Sequence, residues 1–393
     1  MGSSGVVGIA VGHPEARVHA HSAPRNRHAH RWCLLGGAPV SLGGPTRSAD
    51  RRLLPIIVVI LLVVNGGLIA GVMLSPSTSA PDTAAVYADA APSVATIYVM
   101  EPGGERQGSG WVYDEQHIVT NQHVTGADPD RLFVRFQSGE WSEATLVGAD
   151  VYTDLAVVTV EEMPAAAAPL PLAAAPPAIG EHSVAIGSPE GTKQTVTAGV
   201  ISGLHRSNAA PTQFLVTDMI QTEASLNNGD SGGPLLDAEG RVIGVVRATF
   251  GENIGYAVSA ATVAEVVPEL ITDGEYLHPY LGVETVPMTA PLAIANDRPY
   301  HAGVGVVQTI PDTPAAAVLL GGGGGSVTSD GITRPAIGDI IVGVAGRPVR
   351  DNERLGTLLR RHGQPGEPVT LTIIRDGTER TVTITPAVRP PPG

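Results

Sequence analysis

Apolar and polar residues alternate in short runs along most of the chain, and the runs are rich in Val, Ile and Thr. Short alternating runs of β-branched residues favour strands. The runs that predict strands lie near 94–100, 107–113, 116–120, 131–136, 142–148, 155–160, 182–187, 194–203, 214–222, 233–236, 241–247 and 254–258. An Ala- and Pro-rich stretch at 163–179 divides them into two sets. This pattern predicts a mostly β fold with two β-barrels.

A helix and a second folded unit are predicted after these strands. Ser259 is a suitable N-cap for a helix from 260 to about 272, and Gly274 is placed to end it. The second unit has a helical stretch at 351–362 and strand-like runs at 303–309, 339–344, 369–375 and 380–385. Five glycines at 321–325 interrupt it, which predicts a flexible loop.

Residues 53–74 form an uncharged apolar segment near the N-terminus. As a helix with a rise of about 1.5 Å per residue it would be about 33 Å long, enough to cross a bilayer's hydrocarbon core. Three arginines lie between residues 47 and 52, and no cation follows until Arg106. The segment therefore predicts a single transmembrane helix, with the N-terminus in the cytoplasm and residues 75–393 outside it. A signal sequence cleaved near 77–80 and a buried core helix are the alternatives.

The flanks of this segment predict no packed structure. Residues 1–52 contain five histidines among Gly, Ala, Pro and Arg without hydrophobic periodicity, which predicts a disordered basic cytoplasmic tail. The histidines could bind a metal, but nothing around them fixes a geometry. Cys33 is the only cysteine, so no internal disulfide can form. Residues 75–90 are rich in small residues and predict a linker.

The net charge of −14 is unevenly distributed. Residues 1–52 carry seven arginines against Glu15 and Asp50, a surplus of five positive charges, so the remainder carries −19. An acidic body of this kind repels nucleic acid, and we expect no nucleic-acid partner.

The strongest chemical signal is the sequence NNGDSGGP at 227–234. A serine hydroxyl such as that of Ser231 needs an adjacent base to become a good nucleophile, and the oxyanion formed on attack needs preorganised donors. The surrounding glycines would let the backbone amides of Gly229 and Ser231 point at one oxygen. A glycine-rich hairpin turn is the alternative interpretation, and the full eight-residue sequence favours the nucleophile loop over it.

A candidate base and a candidate carboxylate precede this serine. His123 follows an apolar strand, Asp154 comes 31 residues later, and Ser231 comes 77 residues after that. Individually, His123 could be structural and Asp154 a cap at the start of a strand. Their order, with the division between the two strand sets falling after Asp154, predicts a catalytic triad of nucleophile, general base and orienting carboxylate. This chemistry requires no metal and no cofactor.

Across about residues 84–388 the chain resembles the HtrA/DegP serine proteases. The segments GSGWVYDEQHIVTNQHV, YTDLAVV, TVTAGVISGLHR, NNGDSGGPLL and NIGYAVSA occur in that family's order, and HPYLGV with the interrupted second unit looks closest to haloarchaeal members. Asp230 departs from the family, which usually has Asn before the serine. The resemblance implies a chymotrypsin-like protease domain at 91–274, with two six-stranded antiparallel barrels and the triad between them. It also implies a PDZ domain at 276–388 and a homotrimer.

The resemblance further implies a substrate pocket in the protease domain. Leu226, Ile254, Gly255 and Tyr256 would line it, and none offers a carboxylate for a basic side chain. We therefore expect small or medium apolar side chains before the scissile bond. Glu223 lies nearby in sequence and is placed outside the pocket.

Two regulatory elements are implied as well. Tyr280, Leu281, Gly282 and Val283 resemble the PDZ loop whose backbone amides capture the carboxylate of a peptide C-terminus. Arg206 matches the family's sensor-loop arginine.

The expected function is that of a membrane-anchored serine endopeptidase that cleaves unfolded or damaged exported proteins. The alternative is a chaperone-like or scaffold protein in which the proteolytic site is dormant. The presence of all three triad residues favours the protease.

Overall fold

The computed structural model describes residues 58–64, 67–73, 82–101, 104–188, 194–208, 215–247, 254–329 and 331–391. The expectations for the N-terminal tail, including its histidines and Cys33, and for cleavage near 77–80 concern residues outside these ranges.

Two antiparallel strands lie in the apolar segment for which a transmembrane helix is expected. Strand β1 (Val58–Val64) pairs with β2 (Gly67–Met73), and Val64 is opposite Gly67. The structure thus differs from a helix over 53–74. The physical reason lies in the β-branched residues and the intervening Asn-Gly sequence, which favours two-residue hairpin connections. None of the helices in the described ranges has the length and apolar content needed to cross a membrane.

The first barrel follows a short helical segment. Helix α1 (Thr83–Ala90), capped by the Asp82 carboxylate, occupies part of the expected linker, and a 3-10 turn (Ala91–Ser93) follows it. The strands of the barrel are β3 (Val94–Glu101), β4 (Gly104–Val112), β5 (His117–Thr120), β6 (Arg131–Phe136), β7 (Trp141–Asp150) and β8 (Leu155–Val160). They close in the order β3-β4-β5-β8-β7-β6. A one-turn helix, α2 (Gln122–Thr125), follows β5.

The second barrel has the same number of strands. They are β9 (His182–Gly187), β10 (Thr195–Asn208), β11 (Val216–Thr222), β12 (Pro234–Leu236), β13 (Val242–Arg247) and β14 (Gly255–Ser259). They close in the order β10-β11-β14-β13-β12-β9. The expectation of two six-stranded antiparallel barrels is confirmed.

Helix α3 (Ala260–Asp273) follows the second barrel and has the expected caps. The Ser259 hydroxyl accepts the amide of Thr262 at 3.3 Å, and Gly274 is left-handed with φ of +79°. The buried face of α3 joins one apolar cluster with Trp111 of the first barrel and Val245 of the second. This shared core fixes the two barrels against each other.

The C-terminal part is a six-stranded antiparallel sheet with two further short strand pairs among the described residues. Its helices are α4 (Ala290–Ala295), α5 (Pro314–Val318) and α6 (Asn352–His362). Its strands are β15 (Pro279–Tyr280), β16 (Val283–Pro287), β17 (Val304–Thr309), β18 (Ser326–Ser329), β19 (Ile332–Pro335), β20 (Ile340–Val344), β21 (Arg347–Pro348), β22 (Val369–Arg375), β23 (Thr378–Ile384) and β24 (Ala387–Val388). The order of the sheet is β16-β17-β20-β22-β23, with β21 paired to β20. The hairpin β18-β19 directly follows the five glycines.

Helix α6 packs against the second barrel. The hydroxyl of Ser207, near the end of β10, donates to Glu353 at 2.7 Å. Arg361 donates to the buried Asp218 of β11 at 2.7 Å. The part of β10 that carries Arg206 is therefore in contact with the C-terminal domain.

Candidate active site

His123 lies in helix α2, directly after the buried strand β5. Its Nδ1 is 2.8 Å from Oδ2 of Asp154, and its backbone amide donates to Oδ1 of the same carboxylate at 2.9 Å. The imidazole is only about one-fifth exposed, with a relative accessibility of 21%. With Nδ1 held by the carboxylate, the opposite ring nitrogen is the one able to exchange a proton with a nucleophile.

Asp154 is fully buried in the turn between β7 and β8. Its φ of +59° is a left-handed conformation that Asp tolerates better than most residues. Its carbonyl oxygen accepts the side-chain amide of Asn121 at 2.8 Å and the backbone amide of Gln122 at 3.1 Å. These bonds tie the turn to the start of α2, so the carboxylate and the imidazole are held by one small network.

Ser231 is in the loop between β11 and β12 and is 6% exposed. Gly229 and Gly232 have φ of +95° and +87°. A Cβ on Gly232 would lie 2.0 Å from the carbonyl oxygen of Ser109, so only glycine fits there. The glycines of the motif thus shape the loop, as the sequence predicts.

Ser109 of β4 holds this loop from the first barrel. Its amide donates to the carbonyl of Ser231 at 2.7 Å, and its hydroxyl donates to the carbonyl of Gly229 at 2.6 Å. The same hydroxyl accepts the amide of Ser188 at 2.8 Å. Sequence reasoning gave Ser109 no role, although the Gly-Ser-Gly sequence around it was a usable signal.

The neighbouring Gly108 shows how closely the two halves of the site approach. A Cβ at this position would lie 2.5 Å from Cγ1 of Val124 and 3.1 Å from the carbonyl oxygen of Ser231. Helix α2, which carries His123, therefore contacts the loop that carries Ser231, here called the serine loop, next to Gly108. The structure brings the three predicted triad residues to one place at the junction of the barrels.

Two buried charges flank the triad. Asp230 is 3% exposed, and burial raises the pKa of its carboxyl; one oxygen accepts the amide of Asn227 at 2.8 Å. Arg247, at the end of β13, is fully buried and donates from Nε to Oδ2 of Asp154 at 2.6 Å. Burial lowers the pKa of this guanidinium, and the attraction of Asp154 opposes that effect. Sequence reasoning missed Arg247 because nothing local distinguishes it.

The four expected pocket residues are only partly brought together. Leu226 is half-buried, and its Cδ1 would lie 2.5 Å from a Cβ on Gly255, so the glycine makes room for it. Ile254 is exposed. Tyr256 packs into the inter-barrel core, on the opposite side of β14 from the cluster that Leu226 joins. Glu223 is exposed.

The expected carboxylate loop runs from Tyr280, the last residue of β15, to Val283, the first residue of β16. The carbonyl of Gly282 accepts the amide of Ile310 at 2.8 Å, and the carbonyl of Leu281 accepts that of Ala315 at 2.8 Å. A trans peptide places N–H opposite C=O, so the amides of Gly282 and Val283 face away from these partners. The side chain of Arg206 is exposed.

Among the described residues, no set of three or more His, Cys, Asp or Glu side chains is placed to hold a metal ion.

Comparison with known proteins gives the family. Residues 108–245 match the trypsin-like peptidase domain, and residues 279–385 match the PDZ domain. Protease Do-like 1, chloroplastic, of Arabidopsis thaliana is 34% identical over 304 residues, covering 75% of this chain and 66% of that protein. The putative serine protease HhoA of Synechocystis is 33% identical over 291 residues, 71% of this chain and 70% of that protein.

Other relatives are longer or have known structures. A probable periplasmic serine endoprotease DegP-like of Halomonas elongata is 34% identical over 289 residues, and the match spans only 56% of its length. The solved structure of the HtrA-type protease AlgW with tripeptide superposes with a TM-score of 0.65 at 30% identity, covering 79% of this chain and 99% of that chain. The chain belongs to the HtrA/DegP family of serine proteases, in which a trypsin-like peptidase domain is followed by a PDZ domain.

Proposed function

We propose that this protein is a serine endopeptidase that cleaves unfolded or damaged polypeptides. The observation that carries the proposal is the buried Asp154 carboxylate bonded to Nδ1 of His123, beside a serine loop held rigidly by Ser109. Ser231 attacks the scissile carbonyl while His123 accepts its proton and later returns it to the leaving amine. Asp154 keeps the imidazole oriented and stabilises its cation.

The oxyanion of the tetrahedral intermediate would be bound by the backbone amides of Gly229 and Ser231. The φ of +95° at Gly229 and the bond from Ser109 to its carbonyl set the orientation of this loop before substrate arrives. Donors fixed in advance cost no reorganisation during the reaction, which is the main source of such stabilisation.

Substrate preference follows from the side chains near the serine. Leu226 beside Gly255 provides an apolar wall, and the exposed Glu223 is not part of it. Small or medium apolar side chains are therefore preferred before the scissile bond.

The PDZ domain would bind peptide C-termini. Strand β16 is at the edge of its sheet, and Thr285 of this strand bonds to Asn352 of α6 at 2.9 Å. A peptide could add to this edge while the amides of Gly282 and Val283 donate hydrogen bonds to its carboxylate. The contact of α6 with β10 near Arg206 supports communication with the protease domain.

Location and assembly are part of the proposal. The uncharged segment 53–74, preceded by arginines, would hold the chain at a membrane with its acidic body outside the cytoplasm. Resistance of the full-length chain to extraction from membranes by carbonate at high pH would support this, and its release would count against it. The family resemblance supports a homotrimer, which sedimentation of the full-length chain in detergent would test.

Casein hydrolysis by the full-length chain and by Ser231→Ala tests the central claim. Loss of a triad nucleophile typically lowers the rate by about 10⁴–10⁶. Equal hydrolysis by both proteins would refute the mechanism. If neither cleaves but both bind unfolded casein, the chaperone-like alternative is favoured.

A further inference from the structure

We propose that Arg247 is a positioning residue of the triad, whose buried guanidinium holds the Asp154 carboxylate in the orientation that His123 requires. The proposal rests on the protease mechanism given above. It concerns a residue for which neither the sequence motifs nor the family resemblance provides a role.

Arg247 bonds to the same carboxylate oxygen of Asp154 that bonds to His123. Its Nε is 2.6 Å from Oδ2 of Asp154, the same oxygen that lies 2.8 Å from Nδ1 of His123. The side chains of Arg247 and Asp154 are both 0% exposed. A guanidinium donates in a fixed plane, so this bond restricts rotation of the carboxylate as well as balancing its charge.

Arg247 is itself held by the second barrel. Its Nη1 donates to the carbonyl oxygen of Asn208, at the end of β10, at 3.0 Å. Its backbone lies in β13, opposite Tyr256 of β14. The arginine thus reaches from the second barrel to a carboxylate carried by the first, and its complete burial keeps it from touching substrate.

The need for such a residue follows from the burial of Asp154. An ionised carboxylate removed from water is strongly destabilised unless it is paired and hydrogen-bonded. A neutral imidazole supplies hydrogen bonding but no compensating charge in the resting enzyme. Arg247 supplies that charge, so the carboxylate stays paired and aligned between catalytic cycles.

The simpler reading is that Arg247 only joins the two barrels. A comparison of Arg247→Gln and Arg247→Lys, each made in the wild-type and in the Asp154→Asn background, distinguishes a positioning role from a purely structural one. Cleavage of a short chromogenic peptide ester gives kcat and KM, and urea unfolding shows that each variant is folded.

If Arg247 acts through Asp154, Arg247→Gln should lower kcat by about 10- to 100-fold in the wild-type background. This loss is smaller than the roughly 10⁴-fold loss that is typical when the triad carboxylate itself is replaced. KM should change by less than about threefold, because uniform substrate binding is untouched. Arg247→Lys should recover part of kcat. In the Asp154→Asn background the same substitutions should have almost no further effect.

Equal fold losses of kcat in both backgrounds would show that Arg247 is only structural, and so would unchanged kcat in folded Arg247→Gln. Arg375→Gln is the matched control, because it breaks an arginine–aspartate pair with Asp339, at 2.6 Å, in the C-terminal domain. It should lower stability and leave kcat unchanged. If Arg247→Gln does not fold, the partial loss of kcat in Arg247→Lys remains the test. Ser231→Ala with wild-type activity would instead refute the underlying protease mechanism.

Discussion

Replacement of Ser109 by alanine should damage stability and catalysis together. The hydroxyl of Ser109 is fully buried, donates to the carbonyl of Gly229 at 2.6 Å and accepts the amide of Ser188 at 2.8 Å. An alanine side chain can replace neither bond. The Gly229 carbonyl and the Ser188 amide would then lose this partner.

The magnitude follows from the burial of those two groups. The Ser188 amide bond is buried, so its loss should cost about 1–3 kcal/mol of unfolding free energy, whereas the Gly229 carbonyl is partly accessible to water and should cost about 0.5–1.5 kcal/mol. The expected total is about 1.5–4.5 kcal/mol. Loosening the loop that carries the Gly229 amide should also lower kcat/KM by at least about tenfold, since outright removal of one oxyanion donor costs about 10²–10³.

Urea unfolding and cleavage of a short peptide ester measure the two effects. Ser183→Ala is the matched control, since its buried hydroxyl bonds to the hydroxyl of Thr222 at 2.8 Å and does not touch the serine loop. It should cost about 1 kcal/mol and leave kcat/KM unchanged. If Ser109→Ala is no less stable than Ser183→Ala and is fully active, Ser109 does not hold the loop.

Two further predictions concern Asp230 and the PDZ loop. Burial raises the pKa of Asp230, so its carboxylate destabilises the fold above that pKa and protonation relieves the cost as pH falls. Asp230→Asn should therefore raise the urea midpoint at about pH 8, with a gain that shrinks towards about pH 4; a gain independent of pH would contradict this. Gly282 has φ of +73°, and a Cβ there would lie 2.3 Å from Thr313, so Gly282→Val should weaken binding of a free-acid peptide in a fluorescence titration. Equal binding of amidated and free-acid peptides by the wild-type protein would show that the loop does not capture a carboxylate.

The sequence alone was sufficient to predict elements that rest on local patterns. Short β-branched runs placed the strands of both barrels, and Ser259 with Gly274 placed the ends of α3. The order of His123, Asp154 and Ser231 indicated that distant segments meet, because that order matches a known chemical arrangement. In each case the information is carried by a few neighbouring residues or by a recognisable motif.

Only the tertiary structure decided the features that depend on which side chains meet across barrels. Arg247 lies 93 positions from Asp154, and Ser109 lies 120 positions from Gly229. No local pattern marks either pair, since hydrogen bonds between distant segments depend on how the barrels pack. The orientation of Tyr256 away from Leu226 likewise depends on which face of β14 is turned towards the inter-barrel core. In 58–73 the uncharged apolar composition suits a helix as well as a strand, and the Asn-Gly sequence at 65–66 is the local signal for a hairpin; the pairing of β1 with β2 decides between them.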